Sequence, residues 1–437
     1  MTPTQINNLE DLFRFHKDTR IVKHKATRLT APGENYGSLM LKIDVAVETS
    51  AGLDEIHVVA KTVPPDETTQ QMFNTEKTFR NEIAFYKEMV PLWQSFQREH
   101  GVKDVIDCFP KYYCSRLNLN CDTTRVDSNG VLLLENLKVA GYENVERTQG
   151  FDLNAAKLVV RDLAHLHSVA LALRLQKPSI FETQVLPYLS PWRVSVDFHY
   201  KTKAKLEKKI GTIPELESLK ERILVAFDQK LKPSECREPF ATVIHNDCWV
   251  NNTMECAYAS PAKDLVFFLF SSVKNQVLEK HYQELVEWYY QTFVSMLKQL
   301  GCDLRLFSFE GLERELDFEA RHSQFGHLMF MLYPIFAPKN DKLAECSPAD
   351  LLEIVPTELH KDKRTYTAET VPTKTTQNLE RRNVEQIKKN ATAYFNENLL
   401  KICSEFFDRT KEAPKFLPSD SRTLFKLDDY NRMMKQR

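Results

Sequence analysis

Glycine is scarce in this sequence, at 11 of 437 residues. That excludes collagen-like, glycine-rich linker and low-complexity architectures. No apolar run approaches the ~20 residues a membrane span needs; Leu265–Phe270, an obvious one, has six. The first twenty residues, MTPTQINNLEDLFRFHKDTR, carry charges where a signal peptide would carry an apolar segment. There is no basic excess. Lys plus Arg number 59 against 60 Asp plus Glu, a net charge of -1, which argues against a nucleic-acid-binding protein. No C-x-x-C occurs among the nine scattered cysteines, so reduced thiols, no zinc site and a cytoplasmic location are expected. What is present is ordinary for a globular protein with a real core: 42% apolar and 27% charged residues.

The first third of the chain reads as strands around one helix. Strand-like segments lie at 20–29, 38–48 and 56–63, joined by TAPGENYG and ETSAGLDE, whose Gly and Pro supply turn chemistry. Helical spacing follows over 75–98, then two more strand-like runs at 109–116 and 131–135. Three strands, a helix and two strands predict an antiparallel five-stranded sheet with one packed helix. An amphipathic spacing over 5–20 predicts a short N-terminal helix. From residue 152 the pattern turns helical, with helices expected near 153–175, 198–210, 215–230, 276–300, 308–332 and 382–408. The polar, proline-containing stretch 337–380 reads as an exposed loop or lid. The expected division is a β-rich lobe over 1–135 and a helical lobe over 136–437, an α+β fold.

The densest polar cluster is VIHNDCWVNN, 243–252. An apolar strand end leads into His245, Asp247 and Asn252. On one tight loop, a carboxylate can orient a hydroxyl and accept its proton, while an amide oxygen five residues on can ligate a hard cation such as Mg²⁺. Alone, the motif fits a polar turn equally well. Lys61 ends the apolar strand VVAK, and Glu82 is the odd carboxylate on an otherwise apolar helix face. A buried lysine needs a counter-charge, which Glu82 is placed to supply. A strand lysine, a helix glutamate, an apolar strand ending in Glu135, then His-x-Asp-x-x-x-x-Asn is the order of a nucleotide-dependent phosphotransferase.

The chain resembles the ecdysteroid kinase-like, choline kinase-like family of arthropods, a branch of the aminoglycoside phosphotransferase-type kinases. The matching stretches are PGENYGSLMLKIDV, VVAK, FRNEIAFYKEMVP, LLLENLKVAGY, AAKLVVRDLAHLHSVALAL, HNDCWVNN and YASPAKDLVFF, in order over residues 32–268. The resemblance implies a bilobal, protein kinase-like fold with ATP between the lobes. It implies that GENYGS, with Asn35 and Ser38, turns over the phosphates, that Lys61 contacts them and that Glu82 holds Lys61. Glu135, Asn136 and Leu137 would meet the adenine edge through their backbone. Asp247 would be the catalytic base, Asn252 a Mg²⁺ ligand, and His245 a brace of the loop. The implied substrate is a small molecule bearing a hydroxyl, with an ecdysteroid the family's example. His165 and His167, on a core-like helix, read as structural.

One departure stands out. The family carries a strand pair after the loop asparagine, ending in an Asp-Phe-Gln-type motif whose aspartate grips Mg²⁺. Here only twelve positions separate Asn252 from Asp264, too few for two strands, a turn and the YASPAKDL segment. The sequence is family-like up to Met254 and again from about Glu255. A real deletion, a skipped exon or an incomplete gene model would each leave this junction. It predicts either an impaired relative that binds nucleotide or small ligand without turnover, or a substitute such as Glu255 or Asp264. Asp264's counterpart in the family looks structural, tying down the catalytic loop.

Overall fold

The computed structural model describes residues 6–336 except 14–19, 31–36, 121–124, 144, 146–148, 190–194, 232–235 and 249–255. The expected helix at 382–408, the stretch 337–380, Asn35, Asn252 and the Met254–Glu255 junction all lie outside the described residues.

Strands β1 (Arg20–Arg28), β2 (Leu39–Thr49), β3 (Gly52–Thr62), β4 (Tyr112–Arg116) and β5 (Val131–Glu135) form one antiparallel sheet in the order β1-β2-β3-β5-β4. In β2 the odd-numbered residues from Leu39 to Val47 are buried and the even ones half-exposed, as period-two alternation requires. β3 begins earlier than its apolar residues indicate. Thr49 pairs with Gly52 across a tight turn, and Gly52 takes φ +121°, a conformation glycine adopts without a Cβ penalty. Pairing carries the polar Asp54 and Glu55 into the strand although no core calls for them.

The sheet's two faces have different neighbours. Leu41, Ile43, Val45, Val58, Ala60, Val131 and Leu133 form a buried layer with Leu9, Leu12 and Phe13, which lie on a short 3-10 helix, Leu9–Phe13. On the opposite face, Leu132 and Leu134 join the main core with Phe79, Phe85, Met89 and Trp93. The single helix expected over 75–98 is three pieces: α2 (Thr75–Ala84), a π turn (Phe85–Met89) and α3 (Val90–Glu99), preceded by the short α1 (Glu67–Met72). The π turn adds a residue to one turn and turns Phe85 onto Trp93, Tyr86 and Phe109.

The remainder is helical. α4 (Leu153–Gln176) starts where the Asp152 side chain accepts the Ala155 amide and stops before Pro178. Its buried residues from Ala156 to Leu173 are the middle of the main core. Then come α5 (Val196–Ile210), α6 (Lys220–Asp228), α7 (Ala262–Ser272), α8 (Asn275–Gln299), α9 (Phe309–Glu319) and α10 (Phe325–Phe336). α4 packs along α8. A second cluster joins Leu206, Ile223 and Phe227 to Phe267, Phe325 and Met329. Strands β6 (Thr242–Ile244) and β7 (Ala257–Ala259) make a small antiparallel pair beside α4. Among the described residues no helix is long and apolar enough to cross a membrane, and the six described cysteines are free.

Candidate active site

Lys61 and Glu82 meet as the sequence predicts. β3 pairs with β2 and β5 so that Met40 and Leu132 flank Lys61. Its Nζ donates to Glu82 Oε2, and the two side chains are only 10% and 4% exposed. The other carboxylate oxygen, Oε1, is buried with no hydrogen-bond partner among the described residues. Glu82 sits on α2 between Phe79 and Ile83, both core residues, so the helix's apolar face carries the carboxylate inward. Burial, and then the charge of Glu82 one turn away, push the Tyr86 phenol up.

The same face of the sheet carries a polar group the sequence did not point to. Asp44 pairs with His57 and Lys42 with Val59, and directly paired residues share a face. His57 Nδ1 lies 2.6 Å from Asp44 Oδ1, and Lys42 Nζ 3.2 Å from Asp44 Oδ2. Burial raises the Asp44 carboxyl, but hydrogen bonds from His57 and Lys42 outweigh it and hold the group below its ordinary value. The signal available in sequence was opposite charge on adjacent strands, which depends on a register the sequence does not state.

The segment after β5 is tied on both sides. The Glu135 amide donates to Lys111 O (2.9 Å), and Glu135 Oε2 accepts the Lys111 amide (3.2 Å). The Asn136 amide donates to His57 O (3.4 Å), and Asn136 Oδ1 accepts the Lys138 amide (3.2 Å). Leu137 O accepts the Tyr142 amide (2.9 Å). Two of the three amides expected to meet a base edge are thus engaged within the protein, while the Leu137 amide has no such bond among the described residues. Ser38 is buried at the head of β2, with its hydroxyl 3.8 Å from Met40 Sδ.

His245 and Asp247 stand on the loop after β6. Asn246 between them takes φ +68°, a left-handed conformation that asparagine tolerates, and the Asp247 amide donates to His245 Nδ1 (3.3 Å). Asp264, in the first turn of α7, holds this loop from below. Its Oδ2 accepts the His245 amide (2.5 Å) and its Oδ1 the Asn246 amide (2.7 Å). His167 of α4 bonds Asp264 Oδ2 through Nε2 (3.1 Å) and Tyr289 of α8 through Nδ1 (2.8 Å). His167 and Tyr289 are fully buried and Asp264 is 1% exposed. Thr242 Oγ1 adds a bond to His167 O (2.7 Å). The structural reading of His167 and Asp264 therefore has its partners, and both Asp264 oxygens are engaged within the protein. Among the described residues no group of three or more His, Cys, Asp or Glu could hold a metal ion. Tyr289 carried no signal in the sequence: it is one aromatic on an apolar helix face.

This network fixes a pH response. Burial raises the Asp264 carboxyl, but the bond and charge interaction with His167, with His245 beside it, hold the folded group below the usual carboxylate range. Burial also lowers His245, against the pull of Asp264. Both folded values lie below the unfolded ones, so both groups favour the folded state at neutral pH and cease to as pH falls. His245 loses its part below about pH 6.5 and Asp264 below about pH 4. The melting temperature should fall in two steps between neutrality and about pH 3. A Tm flat over that interval would contradict the network.

β6 and β7 pair directly, Thr242 with Ala259, Val243 with Tyr258 and Ile244 with Ala257, so the loop and its return span only residues 245–256. A kinase-like architecture follows from these parts: the five-stranded sheet with its lysine on the third strand and a helix glutamate, then a mainly helical remainder bearing the His-x-Asp loop. No curated protein shows significant similarity to the chain. Among solved structures, a spectinomycin phosphotransferase in complex with ADP and spectinomycin is 12% identical, with 78% of this chain and 98% of that chain covered and a TM-score of 0.35. A macrolide 2′-phosphotransferase from Brachybacterium faecium is also 12% identical, with 82% of this chain and 100% of that chain covered and a TM-score of 0.33. The model of the ecdysteroid kinase-like family matches residues 32–255 and 255–302. These two segments abut at residue 255 and cover more than half of the sequence, and with the fold they show that the chain belongs to the ecdysteroid kinase-like family.

Proposed function

We propose that the chain binds ATP against the face of the sheet that carries Lys61 and transfers the γ-phosphoryl group to a hydroxyl of a small molecule. The observation that carries this reading is the buried Lys61–Glu82 pair in a member of this family. A buried ammonium held by a carboxylate is expensive to build and suits a site that receives phosphate charge. Glu82 fixes the Lys61 Nζ against the α- and β-phosphates. The Leu137 amide meets the adenine edge, and Ser38 and Asn35 belong to the turn over the phosphates. Asp247 accepts the proton of the acceptor hydroxyl as its oxygen bonds to phosphorus and the bond to the leaving ADP oxygen breaks. His245 positions Asp247 through the Asp247 amide. An ecdysteroid, or a similar apolar alcohol, is the first acceptor to test.

Mg²⁺ would neutralise phosphate charge in such a site. Among the described residues the donors do not complete its shell. Asn252 offers an amide oxygen, and Asp264 is committed to the loop amides and His167. This favours a second reading, a family member that binds nucleotide or small ligand with impaired turnover. The twelve positions from Asn252 to Asp264 and the family match in two segments meeting at 255 support it.

Phosphoryl transfer from ATP to hydroxyl acceptors, with and without Mg²⁺, separates the two. The first reading expects Mg²⁺-dependent turnover that falls ~10²–10⁴-fold in Asp247→Asn. Stabilisation by ATP that is equal with and without Mg²⁺, with nothing phosphorylated, would leave the second reading and end the first.

A further inference from the structure

The outer end of the sheet carries a cavity beside the segment that follows β5. Its volume is about 410 Å³, inside the ~300–1,000 Å³ span of small-molecule sites. The strand register fixes the face on which it opens. Val45 pairs with Ile56 and Val58 with Glu135, so Ile56 and Glu135 share the face of Val45 and Val58. Lys61 and Val59, one residue out of phase, stand on the other face. Asn136, Val139 and Ala140, just after β5, close the cavity's side. Glu55 and His57, which also line it, stand on the Lys61 face, so the cavity wraps the outer end of the sheet, past the last β3–β5 pair at Val58 and Glu135.

The lining selects a charge and a shape. Asp54, Glu55 and Glu135 bring three carboxylates against Lys111 and His57, and His57 already lies 2.6 Å from Asp44 Oδ1 and 3.7 Å from Glu55 Oε2. Lys111 Nζ lies 5.2 Å from the centroid of the Tyr113 ring, so that ring already attracts a cation on its face. Burial, and then the Glu135 charge, push the Tyr113 phenol up, which puts that carboxylate within electrostatic reach of the ring. Val47 and Ile56 give an apolar floor, and Val139 on the rim is 56% exposed, an apolar side chain that an occupant would cover.

We propose that this cavity binds a small organic cation, an amine or guanidine on a short apolar or aromatic body. Its charge is met first by Asp54 and Glu135, which share the face of Ile56, with Glu55 at the sheet's edge, and its body rests on Ile56 and Val139. Glu135 also begins the segment expected to meet the base edge, and it is tied to Lys111 by two backbone contacts. An occupant that orders Glu135 and Lys111 steadies that segment, so occupancy and ATP affinity rise together. This coupling, unlike the site, rests on the nucleotide reading above.

Titration calorimetry of the full chain with phenethylammonium tests the site, with 2-phenylethanol and 3-phenylpropionate as neutral and anionic probes of similar shape. Saturable binding is expected for the ammonium alone, roughly tenfold weaker in the Asp54→Asn/Glu55→Gln double variant, whose two positions are exposed and leave the core untouched. No saturable binding of the ammonium, equal binding of the neutral probe, or unchanged affinity in the double variant each overturns the site. With ATP saturating, the ammonium should bind at least twofold more tightly. Unchanged affinity overturns the coupling and leaves the site standing. Absence of ATP binding removes the coupling together with the nucleotide reading, and the site stands on its own titration.

Discussion

Asp264→Ala should destabilise the protein by about 3–5 kcal/mol, because a buried carboxylate that accepts from several buried donors is lost. The change strips acceptors from three groups at once: the His245 amide, the Asn246 amide and His167 Nε2. Buried donors left unpaired cost ~1–3 kcal/mol each, and the small β6–β7 pair offers no replacement. Asp264→Asn should be intermediate, because an amide keeps one acceptor oxygen but turns an NH₂ toward a donor. Tyr289→Phe should cost least, about 1 kcal/mol, since it removes only the partner of His167 Nδ1. Urea unfolding of the four proteins measures the order. Wild type above Tyr289→Phe, then Asp264→Asn, then Asp264→Ala is expected. An Asp264→Ala protein within about 1 kcal/mol of wild type would mean the loop is held by something else.

Lys61→Met should cost about 3–5 kcal/mol for a related reason. It leaves Glu82 as a buried carboxylate, 4% exposed, with both oxygens unpaired, since Oε1 already lacks a partner among the described residues. Glu82→Met should cost less, because a lysine can extend its ammonium toward solvent along its own stem. The double variant Lys61→Met/Glu82→Met removes both charges and should be more stable than Lys61→Met alone. Stability and binding then part company. The double variant should regain much of its folding stability, yet it lacks the cation proposed to meet phosphate. Denaturant unfolding with and without ATP reads both quantities in one experiment. A double variant as unstable as Lys61→Met, or one that ATP stabilises like wild type, would contradict the role given to the pair.

Much of this was legible in the sequence because burial writes itself as a period. LMLKIDVAV alternates, so β2 could be placed to within a residue of Leu39–Thr49. LNAAKLVVRDLAHLHSVALAL shows a helical face, and α4 runs Leu153–Gln176. Lys61 and Glu82 could be paired by the rule that a buried cation needs a counter-charge. Periods report which side faces inward, not which polar atom waits there. His167, Asp264 and Tyr289 lie 97 and 122 residues from one another along the two bonds that join them. Their meeting depends on how α4, α7 and α8 pack, which no local pattern states. Asp44 and His57 escaped notice because strand register decides their contact. The π turns at Phe85–Met89 and Ala320–Gln324 interrupt helices whose apolar spacing runs on through them, so the spacing alone predicts one continuous helix.

The central claim is that the face bearing Lys61 is a nucleotide site. Titration calorimetry of the full chain with ATP, beside Lys61→Met/Glu82→Met, tests it most directly. One saturable site is expected in the wild type, and its loss in the double variant. No heat of binding in the wild type, or equal binding in both proteins, would contradict it.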